Sequence, residues 1–375
     1  MRFLHTSDWH LGRRLHGFDL QAEQADAFSQ IEQIALAQQV DGVIVAGDLY
    51  DRSLPAEQSV RMLNQQFKQL NLVDHLPLYV IAGNHDSATR LATGASWYQQ
   101  THLYVATQLA QAFTPVELTD TQIFLLPYFE PFAARQYFHD EQLQTLQQAI
   151  VPVFQKMKQV FDPAKKHVLV AHFFVAGSSQ TTSETPLTVG GLAAIPSDLL
   201  ADFDYVALGH LHGKDALQLP NARYSGSPIK FSLSETTQQK GVWIVDTEPF
   251  WLQFYPLKLL HDVIHLTQSF QTLTDESYYQ KQDLNNYFGI TLTDRQIIPN
   301  LLSRLRTIYP KLLTVERQTK LQLPDSAKSD VRQLQQQDPM DLLTDFYEQV
   351  AQVPLTKQQQ QWATQALQLA QKEVQ

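Results

Sequence analysis

A chain of 375 residues is long enough for roughly two to three domains and a substantial core, and its 43% hydrophobic and 18% charged composition is that of a folded globular protein. With 28 Lys and Arg against 38 Asp and Glu the net charge is −10, which excludes holding nucleic acid by overall charge; a polyanionic substrate would need local basic patches or bound cations. The absence of cysteine excludes disulfides, thiolate catalysis and cysteine-ligated zinc or iron–sulfur centres, leaving His, Asp, Glu and Asn for any metal chemistry.

The chain enters a strand-like stretch at residues 3–7 and contains no apolar run of signal-peptide or membrane-spanning length, so a cytoplasmic protein without membrane association is expected. Short β-rich apolar runs then recur at 42–46, 78–82, 123–126, 168–170 and 205–208, the length of buried strands. Between the first three lie residues 20–39 and 55–70, with apolar residues at helical spacing and Pro55 suited to a first helical turn. This alternation predicts an α/β architecture. Residues 242–245 and 252–255 follow each other too closely for a helix and predict an antiparallel pair, hence a sandwich-like second part to the sheet system. The expected domains are 1–256, a smaller α+β unit at 257–330, and a polar linker with two C-terminal helices at 331–375. In the first of these helices Asp338 caps, Pro339 and Asp341 occupy the first turn, and Leu342, Phe346 and Val350 line one face. Pro354 ends it, Thr356 and Gln359 form a capping-box pattern for the second, and Trp362, Ala366 and Leu369 share one side. Two such helices make an apolar surface that docks on its own domain or waits for a partner helix.

Five apolar strands end in residues able to hold a metal. They are Asp8-Trp9-His10, Gly47-Asp48-Leu49-Tyr50-Asp51, Gly83-Asn84-His85-Asp86, His172, and Gly209-His210-Leu211-His212. Loops at the carboxyl ends of neighbouring strands meet at one sheet edge, so these residues are expected to converge. Asp8, His10, Asp48, Asn84, His172, His210 and His212 are too many donors for one tetrahedral ion and suit two divalent ions, with Asp48 as the bridge. Such a pair, about 3.5 to 4 Å apart, lowers the pKa of a shared hydroxide and clamps the oxygens of an in-line phosphoryl displacement. That is a phosphoester hydrolase design. His85, beside Asn84, is expected to face the substrate as general acid or as donor to the phosphoryl oxygens, with Asp51 orienting its imidazole. Trp9 is expected to pack beneath the site, and His5, His16, His75, His102, His139, His167, His261 and His265 are expected to be ordinary surface or core residues.

This set of motifs resembles the signature of the calcineurin-like metallophosphoesterases. Within that superfamily Thr6 to Gly12, Ser183 to Gly191, Phe203 to His212 and Tyr224 to Pro228 resemble the SbcD-type nuclease subunits. The resemblance implies a four-layer α/β/β/α phosphoesterase sandwich, a small capping domain over DNA, and C-terminal helices that grip the coiled coil of an SbcC ATPase. It also implies a Mn²⁺-dependent exonuclease and endonuclease, with Fe²⁺ accepted by the same donors, acting on double-strand ends and hairpins as a homodimer. The helical stretches 55–70, with Met62, Leu63 and Phe67, and 88–100, with Leu91, Ala95 and Tyr98, are the expected dimer faces. Arg13, Arg14, Arg52, Arg90, Lys214 and Lys230 lie near the ligands or the Ser225 to Pro228 turn and are candidate DNA contacts. The alternatives are a small-molecule phosphodiesterase of the same fold, acting on cyclic nucleotides or dinucleotides, and a metal-binding scaffold for a partner.

Overall fold

The short apolar runs of the first 256 residues pair into two sheets packed face to face. The computed structural model describes residues 1–179, 181, 184, 194–318, 338–351 and 354–373. In the first sheet β1 (Arg2–Thr6), β4 (Gly42–Val45), β5 (Leu78–Ile81) and β6 (Leu103–Ala106) run parallel, and β12 (Gly241–Thr247) and β13 (Phe250–Pro256) extend it antiparallel beyond β1. A two-stranded hairpin of β2 (Arg14–Leu15) and β3 (Phe18–Asp19) lies between β1 and α1 (Gln21–Ala37). The second sheet has the order β11 (Ala222–Tyr224), β10 (Tyr205–Gly209), β9 (Lys166–His172), β8 (Thr121–Leu126), β7 (Val116–Glu117), parallel except for β7.

Side-chain alternation explains the continuous apolar runs, because each sheet is covered on both faces. Between the sheets Phe3, Ile44, Tyr79 and Ile81 meet Ile123, Leu125, Val168, Val170 and Tyr205. On the outer face of the first sheet Leu4, Val43, Val45 and Val80 pack against Ala27, Ile31 and Ala35 of α1 and Met62 and Leu63 of α2 (Glu57–Phe67). On the outer face of the second, Phe124, Leu126, Leu169 and Leu208 pack against Ile150, Val153 and Phe154 of the helix Leu146–Lys158. The layers are therefore α/β/β/α. A separate small core of Phe270, Leu273, Phe288, Ile290, Leu305 and Tyr309 belongs to β14 (Val263–Gln268), β15 (Tyr287–Leu292) and β16 (Leu312–Arg317), three parallel strands with short helices between them.

Local details differ from expectation. Pro55 lies outside α2, because Ala56 is its extended N-cap residue and Glu57 its first helical residue. Residues 88–100 are not one helix: Gly94, at φ +84°, separates α3 (Ala88–Leu91) from α4 (Ala95–Tyr98). The apolar stripes expected to face a second copy are occupied at home, since Met62, Leu63 and Leu91 are buried and Phe67, Ala95 and Tyr98 pack on the core of the first sheet. Large apolar side chains left exposed nearby include Leu54 (69%), Leu72 (52%), Val73 (51%) and Trp97 (77%).

The helices Pro339–Ala351 and Lys357–Glu373 stand where the sequence places them. Asp338 Oδ1 accepts from Met340 N at 2.8 Å, and Thr356 and Gln359 exchange the two bonds of a capping box. Gln359 Nε2 donates to Tyr347 Oη at 2.9 Å and ties the two into a hairpin that leaves Phe346, Trp362 and Leu369 at least 60% exposed. The side chain of Val350, most of Ser183 to Gly191, and residues 319–337 lie outside the described residues. No helix among the described residues is long and apolar enough to cross a membrane.

His5 is a core residue: it is fully buried between the sheets, with Nδ1 2.8 Å from Tyr205 Oη and Nε2 3.2 Å from the Leu208 carbonyl, and burial lowers its pKa to about 3. The unfolded chain takes up that proton near pH 6.5, so the stability given by neutral His5 is complete above that value and is lost as pH falls toward 3, at about 1.4 kcal/mol per unit. Urea unfolding should show wild type losing about 2 kcal/mol more than His5→Gln between pH 7 and pH 5. A Cβ on Gly209 would collide with the Ala46 carbonyl oxygen and approach His172 Nδ1 to 2.8 Å, across the junction of the two sheets. Gly209→Ala should lower stability by about 1 to 3 kcal/mol, read from the same unfolding curves.

Candidate metal centre

The parallel strands of the two sheets point their carboxyl ends to one place, and the turns after them hydrogen-bond to one another. Asp8 N donates to Gly47 O and His10 N to Asp48 O, both at 3.0 Å, while His210 N donates to both Asp8 carboxylate oxygens at 3.0 and 3.1 Å. Four of the converging residues sit at positive φ: Asp8 (53°), His10 (43°), Asp48 (53°) and His210 (98°). For a non-glycine residue this costs on the order of 1 kcal/mol or more, so the turns are held open by their surroundings.

All seven expected ligands come together. His10 Nε2 lies 3.1 Å from His212 Nε2, 3.6 Å from Asp48 Oδ2 and 4.0 Å from Asp8 Oδ1. Asp48 Oδ2 is also 3.3 Å from His172 Nε2, and Asn84 Oδ1 is 3.1 Å from His172 Nε2 and 3.0 Å from His210 Nδ1. Asp48 thus stands between one group of Asp8, His10 and His212 and another of Asn84, His172 and His210. Three compact donor sets occur among the described residues, Asp8–His10–His212, Asp8–Asp48–His172 and His10–Asp51–His85; the first two share Asp8, so its carboxylate too reaches both groups. Asp8, His10, Asp48, His172, His210 and His212 are all nearly or fully buried.

Burial governs the electrostatics. It raises the Asp8 carboxyl, drives His10 well below the usual imidazole range, and with the nearby His172 lowers His210 to about 3. At Asp48 burial opposes ionisation but His172 outweighs it, holding the carboxyl well below its usual range; in return Asp48 overcomes burial and raises His172 to about 9. Buried carboxylates interleaved with imidazole nitrogens are a donor set that fits divalent cations, which on binding would displace the proton held by His172.

His85 stands beside this cluster, its ring 4.9 Å from that of His10 and its backbone N donating to Asp48 Oδ1 at 2.9 Å. Asp51 contacts it through the main chain, and its carboxylate also lies within 4.8 Å of a ring nitrogen of His85 and one of His10. His85 Nδ1 is 2.8 Å from the Asp51 main-chain carbonyl, while the carboxylate faces Arg13 at 3.6 Å and Arg52 at 3.5 Å. Arg13, Arg14 and Arg52 line a cleft of about 900 Å³ that His85 also borders. Arg14 reaches the Gly17 carbonyl, Arg90 lines a separate groove with Tyr50 and Tyr98, and Lys214 pairs with Asp215 over the Phe254 ring. Lys230 does not belong to this basic surface: its side chain is only 5% exposed and its ammonium is bound to Asp262 at 2.7 Å and to the Thr236 carbonyl. Trp9 packs beneath the site against Phe28 and Phe67, with Nε1 bonded to Thr6 Oγ1.

The sequence did not disclose three carboxylates behind the ligands. Asp86 accepts from the backbone N of Leu49, Tyr50 and Gly83, clamping the second motif to the third, and burial with the Asp48 charge pushes it up to about 7. Glu184 accepts from His212 N at 3.0 Å. Glu235 accepts from His212 Nδ1 at 3.0 Å, a contact across 23 residues of sequence.

Comparison with known proteins agrees with this geometry. Residues 1–214 match the family model of the calcineurin-like phosphoesterases, and residues 260–351 match that of the type 5 capsule protein repressor C-terminal domain. The D subunit of the nuclease SbcCD from Staphylococcus epidermidis is 32% identical over 362 residues, 96% of each chain. Its counterpart from Staphylococcus saprophyticus is 32% identical over 361 residues, again 96% of each. With a phosphoesterase signature over more than half its length and near-complete alignment to these nuclease subunits, the chain belongs to the SbcD family of calcineurin-like phosphoesterases.

Proposed function

We propose that the protein is the nuclease subunit of an SbcCD-type complex, hydrolysing phosphodiester bonds of DNA at double-strand ends and hairpins in the cytoplasm, as exonuclease and endonuclease. The observation that carries the reading is the meeting of seven nitrogen and oxygen donors from five strand tips beside a wide cleft bordered by His85 and three arginines. Asp8, His10 and His212 would hold one divalent ion and Asn84, His172 and His210 the other, with Asp48 between them. Mn²⁺ is the expected metal, and Fe²⁺ suits the same donors. Bound there, the ions supply Lewis acidity and a nucleophile at neutral pH. His85 protonates the leaving oxygen or donates to the phosphoryl group, its ring fixed by the Asp51 carbonyl. Arg13, Arg14 and Arg52 position the phosphate backbone across the cleft. Residues 1–256 form the nuclease domain, 257–330 the capping domain and 331–375 the linker and helices that hold SbcC; the exposed Phe346, Trp362 and Leu369 support that last assignment. A homodimer completes the reading, with the exposed Leu54 and Trp97 as its apolar contacts.

Purified protein with Mn²⁺ should digest labelled linear duplex as well as bis-p-nitrophenyl phosphate. Hydrolysis of the small ester alone would select the small-molecule phosphodiesterase instead, and metal uptake without hydrolysis the scaffold. His85→Gln should keep two ions and lose 10²- to 10⁴-fold in rate, whereas Asp51→Asn, which leaves the main-chain carbonyl in place, should lose less than about tenfold. Equal losses in the two variants would reject the carbonyl contact as the one that orients His85. Truncation after Gln337 should leave hydrolysis of the small ester intact and abolish co-purification with co-expressed SbcC; retention of SbcC by the truncated chain would reject the helices as its binding site.

A further inference from the structure

One buried ion pair lies directly behind the candidate metal centre and is not explained by any role assigned so far. Glu235 and Lys240 are almost entirely shielded from water, and Lys240 Nζ is 2.5 Å from Glu235 Oε2. Burying such a pair is a poor source of stability, since the cost of desolvating two charges rivals their attraction. The other carboxylate oxygen, Oε1, accepts a hydrogen bond from His212 Nδ1 at 3.0 Å. Lys240 also donates to the His212 carbonyl at 2.9 Å and to Ser227 Oγ at 2.8 Å, so both ends of His212 are held by one pair.

The arrangement has a chemical consequence. A carboxylate paired with Lys240 can only accept, so Nδ1 of His212 must carry its proton and Nε2 must present a lone pair. That lone pair lies among the donors of the first group, 3.1 Å from His10 Nε2. Phe231 fixes the ring planes from the side, with edge contacts to His10 at 5.4 Å and to His212 at 5.6 Å, and its backbone N reaches Glu235 Oε2 at 3.3 Å. His172 is oriented differently, its Nδ1 meeting the neutral main-chain carbonyl of Ala46 at 2.7 Å.

Resting on the metal-centre reading above, we infer that Glu235 is a positioning residue that sets the tautomer and orientation of His212 and strengthens it as a metal ligand, with Lys240 keeping the carboxylate ionised. Carboxylate–histidine–metal arrangements of this kind alter metal affinity by 10- to 100-fold when the carboxylate is lost. A purely structural role predicts something else. If Glu235 serves only to neutralise Lys240, removing both charges restores whatever removing one has cost.

The test is equilibrium dialysis against Mn²⁺ on the full chain, with thermal unfolding of the same samples, for wild type, Glu235→Gln and the double variant Glu235→Gln/Lys240→Met. Wild type should bind two Mn²⁺. Glu235→Gln should hold one of them 10- to 100-fold more weakly and unfold at lower temperature. The double variant should recover thermal stability and keep the weakened Mn²⁺ site; should the single variant fail to fold, the double variant alone decides the matter. Recovery of wild-type Mn²⁺ affinity in the double variant, or unchanged affinity in Glu235→Gln, overturns the positioning role. Fewer than two Mn²⁺ in wild type overturns the metal-centre reading itself.

Discussion

Two carboxylates withdrawn from water, Asp8 and Asp48, impose the main constraint on this structure. An ionised carboxylate in a dry interior costs several kcal/mol unless positive charge or hydrogen bonds meet it. Here the backbone N of His210 meets Asp8 and that of His85 meets Asp48, and imidazoles surround both. The rest of the architecture delivers these partners. Parallel strands in both sheets direct their carboxyl ends to one edge, glycines at 47 and 209 let the strand tips approach within contact, and four ligand residues accept a left-handed backbone to aim their side chains inward.

The same constraint explains what the sequence made legible. Strands covered on both faces are continuous apolar runs, and those that deliver ligands are followed by a polar residue in a fixed direction, so the five tips and their convergence could be read from the chain alone. Residues acting through the main chain could not. Asp51 stands beside His85 as its spacing suggests, but that its carbonyl makes the hydrogen bond while its carboxylate is shared with Arg13 and Arg52 depends on backbone direction, which the sequence does not carry. Asp86, Glu184 and Glu235 bind backbone or the far side of a ligand, at sequence distances that carry no periodic signal. Lys230 looked like surface because lysine usually is; its partner Asp262 lies at the start of the small C-terminal sheet unit, whose packing local sequence does not announce. The break at Gly94 was equally hidden, since the apolar spacing runs through it.

The net charge of −10 and a polyanionic substrate are reconciled by separation. Acidic side chains at the surface are partly neutralised in pairs such as Lys158–Asp202 and Lys165–Glu117, where Asp202 and Lys165 precede β10 and β9 at the ends opposite their ligand-bearing tips. The arginines that border the cleft cluster within 13 to 52, close to the first two motifs. Attraction is therefore local and short-ranged, within about 10 Å at ordinary ionic strength, and metal adds to it where the scissile bond would lie.

The place of β1 in the first sheet sets an order on how the molecule comes into being. β1 precedes in the chain both strands that flank it, β4 and β12, and Thr247 N at the end of β12 donates to the carbonyl of Met1. Asp8 leaves β1 directly, and its carboxylate is met by the backbone of His210, 202 residues later. The first 200 residues supply four of the five ligand-bearing tips but neither His210 nor His212, and β1 still lacks its second neighbour. The growing chain therefore carries an unfinished centre until both sheets close, and completion of the donor set is tied to contacts of long sequence separation that form late.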